Sequence, residues 1–538
     1  MKNKPYPLYS LPLISDLKDM VKSRVLRAPD DVAFSYTIDK ENKVIAEKTC
    51  REFDEDIDAL GTFLYGKGLR NAHIAIIGEN SYEWIVAFLA AANGGNVAVP
   101  IGKDESVEKI AFLMKQSDCR AVFVSKNYVR NIENIEGVTV FTMDQFPEYI
   151  SEGHKLIESG RTEFIDYEID RERLAAIFFT SGTTGSGKGV MLSHKNMAAD
   201  INSASKNFEP NGNTLAVLPF HHTFGLITAV FKVYNYNVST FINKSLRTIQ
   251  EDLKVVKPQT MFLVPLFVET FYKNIMTTAK KTGKEKTLNQ AAKISNGLIK
   301  VGIDVRNKLF KSVQAAFGGN LEYVICGGAP LDPMYVKAFR TWGVHILNGY
   351  GITECSPVVS VNRNHHWRDG SVRQVISGCE VKIAEDGEIL VKGDNVMIGY
   401  YKDEASTRIV LNDGWYSTGD LGRIDEDGFL FITGRKKNLI ILSNGENVSP
   451  EEIEARILID KAVAEVVVYG EDKKIVAEIF PDEDYLNNQQ YFDELIAKLN
   501  QGQPLFRHIR KVRLRDTEFE KNSVKKILRY KVTENVNA

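Results

Sequence analysis

Cysteine is scarce in this sequence and never closely paired. The five thiols, Cys50, Cys119, Cys326, Cys355 and Cys379, are scattered singly. Without CxxC spacing there is no thiolate zinc site and no disulfide framework, and a reducing compartment suits such a chain. The nine histidines include the neighbours His221-His222 and His365-His366, but no HExxH or comparable zinc pattern. An excess of one charge is missing too: 68 Lys and Arg face 70 Asp and Glu. The whole-chain field therefore gives no grip on nucleic acid, and any anionic ligand has to be held by local geometry. Long apolar runs are equally absent. The longest, Leu215 to Tyr234, contains Pro219, His221, His222, Gly225 and Lys232. Charge and paired imidazoles are costly at bilayer depth, so this run reads as core or pocket lining, and no transmembrane segment is expected. The N-terminus reaches Asp16 through Pro5, Pro7 and Pro12 with no clean apolar region or cleavage site. That argues against an export signal and for a cytoplasmic protein.

What is present suits a large globular enzyme. A chain of 538 residues, 43% hydrophobic and 26% charged, exceeds what one core can organise. Short branched apolar runs alternate with longer periodic ones: His73–Gly78, Tyr82–Asn93, Asn96–Ile101, Val107–Gln116 and Ala121–Ser125. Strand, helix, strand, helix, strand predicts an α/β body built on parallel sheet. The same rhythm returns at Leu174–Thr180, Lys195–Asn207, Thr214–Leu218 and Leu321–Cys326. From about Glu380 the texture changes to brief runs broken by Asp386-Gly387, Asp413-Gly414 and Asp427-Gly428. These read as hairpins of a barrel-like β subdomain. An acidic helix start at Glu451-Glu452 and a strand at Ala464–Tyr469 then predict a small α+β module at the end.

The segment Phe178 to His194, FFTSGTTGSGKGVMLSH, carries the strongest chemical signal. An apolar strand runs into a loop of Gly, Ser and Thr and then toward a helix. Glycines let backbone approach a ligand, while hydroxyls, N–H groups and the Lys188 ammonium present donors to phosphate oxygens. Gly182 through Lys188 also satisfies the GxxxxGK of a Walker A loop. The next residue is Gly189, however, where that loop needs Ser or Thr to hold magnesium.

TSGTTGSGKG resembles the phosphate loop of the adenylate-forming superfamily, which includes acyl-CoA synthetases, luciferases and peptide-synthetase adenylation domains. Gly187 stands where that family usually has proline. The likeness extends along most of the chain through Cys326-Gly327-Gly328-Ala329-Pro330, Asn348-Gly349-Tyr350-Gly351-Ile352-Thr353-Glu354, Trp415 to Gly422, Gly434-Arg435, and Phe519 to Arg529. It implies a phosphate-binding set of Thr180, Ser181, Gly182, Thr183, Thr184, Gly185 and Lys188. It further implies an adenine site from Gly328, Ala329, Pro330, Asn348, Gly349, Tyr350, Gly351 and Thr353, with Tyr350 stacked on the purine. Glu354, with Thr180, would hold magnesium, and Asp420 with Arg435 would hold the ribose. Lys526 would be the catalytic lysine, joined by Arg435. His222 reads equally as an orienter of the substrate carboxylate or as a packed core histidine. The same resemblance implies a body over residues 1–434, a mobile lid over 435–538 hinged near Lys437, and a coenzyme A tunnel at Ser443, Asn444 and Gly445.

The implied reaction spends ATP to activate a carboxylic acid as acyl-AMP with release of pyrophosphate, then passes the acyl group to coenzyme A. Amino-acid-activating relatives place an aspartate in the motif matching Leu218–Gly225, and this chain has no carboxylate there. A buried ammonium would be unpaired, which disfavours amino acids. Tyr350 to Pro357 looks most like bacterial long-chain fatty acid–CoA ligases, so a medium- or long-chain fatty acid is expected, handled as a monomer or homodimer in the cytoplasm or at the inner membrane surface. Two alternatives stay open: transfer to the pantetheine of an acyl carrier protein, and a non-catalytic nucleotide-binding relative, the latter suggested by Gly187 and Lys525.

Overall fold

The computed structural model describes residues 8–39, 41, 44–133, 135–180, 187–372, 374–442, 446–472, 474–521 and 527–537. It divides into two compact units, one of residues 1–380 with 392–416 and one of 381–391 with 417–538.

Two large sheets organise the first unit. In the seven-stranded sheet, His73–Ile77 lies between Val97–Ile101 and Cys119–Val124, all parallel, with Thr139–Thr142 parallel at one edge. These strands are nearly continuous apolar runs because helices such as Tyr82–Ala92, itself almost wholly buried, cover them. Leu174–Thr180 adds in parallel beside Val97–Ile101. The other sheet has eight strands. Its inner members, including Thr260–Leu263, Tyr323–Cys326 and His345–Gly351, are parallel, and its edge pairs are antiparallel. Leu263, Val268, Phe271, Phe317 and Phe339 pack into the core beside this sheet.

The structure departs from the sequence reading at the glycine-rich loop. The chain does not pass from loop to helix but returns as the strand Lys188–Ser193, antiparallel to Leu174–Thr180. Val190 and Leu192 are buried on that return, and a strand seats them where a loop could not. The helix His194–Asn207 follows, started by a capping box in which Ser193 and Asn196 exchange side-chain and backbone hydrogen bonds. The run Leu226–Tyr234 is buried, as its texture suggested, and the structure forms it as helix. Its Lys232 is buried with its ammonium 4.5 Å from the centre of the Phe208 ring, and burial brings its pKa down to about 7.

The second unit carries the hairpin of Leu430–Arg435 against the strand ending at Ile424. It also carries a three-stranded sheet of Val463–Glu471, Lys474–Pro481 and Ile509–Leu514, closed by the helices Pro450–Ile457 and Gln489–Asn500. Ile453, Ile457, Val466, Ala477, Phe492 and Ile496 form its core. Among the described residues of both units no helix is long and apolar enough to cross a membrane.

Candidate functional site

The glycine-rich segment lies between two antiparallel strands, in which Thr180 and Lys188 are direct partners. Ser181, Gly182, Thr183, Thr184 and Gly185 lie outside the described residues. Gly187 takes φ +65°, a left-handed conformation that proline cannot adopt, which gives a physical reason for glycine here. A Cβ on Gly189 would stand 2.9 Å from Ile177, so packing in the hairpin demands glycine where a Walker A loop has its hydroxyl.

Lys188 opens the return strand with its ammonium 4.6 Å from the centre of the Tyr400 ring. Tyr400 sits on the two-residue strand Gly399–Tyr400, paired with Val190. Its hydroxyl donates to Glu354 Oε1 at 2.9 Å. A cation, a ring and a carboxylate are thus strung together from three distant stretches of chain. Burial, then the neighbouring Glu354, raises the Tyr400 pKa, so the phenol keeps its proton and remains a donor. Tyr416 is pushed up well above the usual phenol range by its own burial and by Glu354. Around Glu354 the backbone is braced. Its carbonyl accepts from the Met397 N–H at 2.8 Å, and the Asn395 amide donates to the Cys355 and Val358 carbonyls at 3.0 Å each.

The proposed adenine residues come from neighbouring parallel strands. Cys326 pairs with Asn348, so Gly328, Ala329 and Pro330 leave one strand end beside the segment Gly349 to Thr353. Open α/β sheets bind ligands at such carboxyl ends. Gly328, Ala329 and Pro330 are exposed, and Tyr350 is half-buried. Gly351 has no room for a side chain, since a Cβ would fall 2.2 Å from the Pro357 carbonyl. Asn348 Oδ1 is buried and has no hydrogen-bond partner among the described residues. A buried acceptor in that state suits a ligand N–H, such as the exocyclic amine of adenine.

The His222 ring lies against that of His221 with centres 4.1 Å apart and planes tilted by 45°. Its Nε2 is buried without a partner among the described residues, and burial lowers its pKa to about 4. Burial and His222 take His221 well below its usual range, so both rings are neutral at pH 7.

In the second unit Asp420 and Arg435 face each other across the hairpin. Arg435 Nε lies 2.6 Å from Asp420 Oδ1, and Nη2 lies 3.4 Å from Oδ2. The Asp420 side chain is 6% exposed and that of Arg435 36%, so a buried carboxylate is met by a partly solvated cation. Lys436 pairs with Asp386 at 2.6 Å and Glu388 at 2.9 Å, and Lys437 beside it is exposed. Ser443, Asn444, Gly445 and Lys526 lie outside the described residues, but the chain flanking Lys526 is clamped. Lys521 bridges Ile527 through backbone and pairs with Glu465. Arg529 reaches Glu454 at 2.5 Å and the Val468 carbonyl at 2.8 Å.

The first unit thus gathers Thr180, Lys188 and Glu354 with Tyr400, and sets the segments expected to hold adenine on adjacent strands; the second joins Asp420 to Arg435. Tyr400 is the residue that sequence reasoning missed. Its only local signal is the short Gly399-Tyr400-Tyr401 run, and nothing in that run points to a carboxylate 46 residues away. Among the described residues no cluster of three or more His, Cys, Asp or Glu is arranged around a metal. A magnesium ion that keeps waters and takes substrate phosphates needs only one or two carboxylates, and the oxygens of Glu354 fit that demand.

A family model described as AMP-binding enzyme matches residues 21–401, and one described as AMP-binding enzyme C-terminal domain matches 437–537. The long-chain-fatty-acid–CoA ligase FadD15 of Mycobacterium bovis is 29% identical over 480 residues, covering 83% of this chain and 79% of the relative. Long-chain-fatty-acid–CoA ligase 5 of Mus musculus is 30% identical over 485 residues, covering 81% and 71%. The crystal structure of o-succinylbenzoate coenzyme A synthetase from Bacillus subtilis, in complex with ATP and magnesium ion, superposes with a TM-score of 0.75 at 22% identity, covering 96% of this chain and 99% of that one.

Proposed function

Because the chain belongs to the AMP-binding enzyme family, we propose that it activates a fatty acid with ATP, forming acyl-AMP and pyrophosphate, and then makes the acyl-coenzyme A thioester. The observation that carries this reading is the string Lys188, Tyr400, Glu354 beside the glycine-rich hairpin, with Asn348 Oδ1 awaiting a donor. The named activity of the relatives supports the acyl substrate and coenzyme A as acceptor.

A carboxylate is a poor electrophile because its leaving group would be oxide. Attack of the acid on the α-phosphorus turns one oxygen into the bridge of a mixed acyl–phosphate anhydride and expels pyrophosphate. Lys188 and the donors of the Thr180–Gly185 loop would receive the negative charge on the pyrophosphate side. Tyr350 would lie against adenine within Gly328, Ala329, Pro330, Asn348, Gly349, Gly351 and Thr353, while Asp420 accepts from the ribose hydroxyls with Arg435 beside it. Magnesium, held by Glu354 with the Thr180 hydroxyl, would neutralise phosphate charge when bound. The neutral His222 would orient the acid. With no carboxylate in Leu218–Gly225, the site offers nothing to a substrate ammonium. The buried stretch Leu226–Tyr234 is apolar enough to receive an acyl chain at about 0.8 kcal/mol per methylene.

In this reading residues 1–434 form the adenylating body and 435–538 a lid that turns about Lys437. Lys526 is presented for adenylation and withdrawn for thioester formation, when Ser443, Asn444 and Gly445 line the path of the pantetheine thiol. The enzyme works as a monomer or homodimer in the cytoplasm, peripherally at the inner membrane surface, where its substrate dissolves.

Pyrophosphate exchange with a panel of acids tests the first half-reaction, and the mass of the product with coenzyme A or with an acyl carrier protein identifies the acceptor. Lys526→Ala should lower exchange about 100- to 1,000-fold, as for loss of one well-placed donor to developing charge. No exchange with any acid would overturn the proposal.

A further inference from the structure

Between Lys273 and Lys311 the chain holds ten Lys and Arg residues against two acidic ones, Glu285 and Asp304, in a protein whose overall charge is −2. The helix Glu285–Ile299 occupies the middle of this stretch. It rests on the protein through Leu288, Ala291 and Ala292, and Ser295 is its one fully buried residue. Lys286, Lys293 and Lys300 recur at seven-residue spacing, which places them along one side of the helix, and all three are exposed.

The end of this helix is unusual. Gly302, at φ +81°, reverses the chain while the Ile303 N–H donates to the Leu298 carbonyl and the Gly302 N–H to that of Ile299, both at 3.0 Å. In such a terminus the apolar residue after the glycine commonly folds back onto the helix. Here Ile303 is 51% exposed, Val301 71% and, two turns earlier, Ile294 57%. The result is an apolar knuckle held in a defined turn by backbone hydrogen bonds. Asp304 is taken by Arg306 at 2.6 Å, and Lys293 and Lys300 are the exposed cations of the helix's last two turns.

We propose that this knuckle docks the protein on an anionic phospholipid surface. Val301 and Ile303 enter the boundary between headgroups and acyl chains, and Lys293 and Lys300 meet the lipid phosphates. Nucleic acid is the poorer match, because recognition of single strands uses exposed rings and the one aromatic residue between Lys273 and Lys311, Phe310, is fully buried. The inference rests on the fatty-acid reading above for its purpose: an acid that partitions into bilayers is met where it is dissolved.

The test sediments the full-length protein with vesicles of phosphatidylcholine alone and of phosphatidylcholine mixed equally with phosphatidylglycerol. Binding is expected to the mixed vesicles, weakly to the neutral ones, and to fall with added salt. Val301→Ser with Ile303→Ser should lower partitioning about tenfold, and Lys293→Glu with Lys300→Glu at least about tenfold with a weaker salt dependence. All these residues are exposed, and both variants should retain wild-type pyrophosphate exchange with a short water-soluble acid. Wild-type protein that stays in the supernatant with mixed vesicles, double variants that bind as the wild type does, or retention only by RNA or an acidic polypeptide would each overturn the proposal. Vesicle binding without any pyrophosphate exchange would instead locate the failure in the proposed reaction.

Discussion

Replacing Tyr400 with phenylalanine removes one oxygen and leaves the ring beneath Lys188 in place. The lost group is the donor to Glu354 at 2.9 Å, from a side chain that is buried and whose phenol stays protonated. A hydrogen bond to a charged group contributes about 1.5–3 kcal/mol, and about 1.4 kcal/mol is tenfold. If Glu354 holds magnesium, its orientation therefore matters by about ten- to a hundredfold, and loss of such an outer partner of a metal ligand has the same usual range. The assay is a magnesium titration of pyrophosphate exchange, with MgATP binding by calorimetry as a readout independent of turnover. Tyr400→Phe should raise the apparent magnesium constant about tenfold or more while changing the rate at saturating metal less. Tyr400→Leu also forfeits the cation–ring contact, worth about 0.5–2 kcal/mol, and should lose more. An unchanged magnesium constant in Tyr400→Phe, with an unchanged melting temperature, would refute the positioning role.

Three other outcomes are expected. His222 stays neutral in the fold down to about pH 4, whereas an unfolded imidazole takes up its proton near 6.5, so stability falls as pH drops through that window. The loss attributable to this ring at pH 5 is about 2 kcal/mol, and His222→Gln should flatten the difference between urea midpoints at pH 7 and pH 5. Asp420→Asn should raise the KM for ATP at least about tenfold while costing under about 1 kcal/mol in folding, because Arg435 is partly solvated; a loss of stability without a change in KM would make the pair structural only. Lys437→Pro should slow thioester formation far more than adenylation, measured as separate half-reactions, and equal losses would count against the hinge.

Much of the architecture was legible because it is written at short range. The alternation between His73 and Val124 appears as strands and helices within a residue or two of the expected limits, and Leu174–Thr180 is a strand over its whole predicted length. Periodic burial dictates those elements whatever their partners are. The return strand after the glycine-rich loop escaped, since Lys188–Ser193 is short and one of its two stabilising neighbours, Gly399–Tyr400, is far from it in sequence. The division into compact units was also beyond local texture: residues 381–391 join the later unit while 392–416 join the earlier one.

The candidate site divides in the same way. The order of the Gly-rich, Asn348–Glu354, Asp420 and Lys526 segments, and the kinds of donors they supply, were present in the amino acids alone, because glycine, lysine and carboxylate side chains carry their chemistry with them. Which groups touch was settled only by the stacking and pairing of strands. Tyr400 meets Glu354 because a two-residue edge strand pairs with Val190, and Asn348 Oδ1 is left wanting a donor because that atom is buried on the strand paired with Cys326. Such contacts join residues tens to hundreds of positions apart, and their energy depends on desolvation and direction, which no stretch of sequence contains until the chain has closed around it.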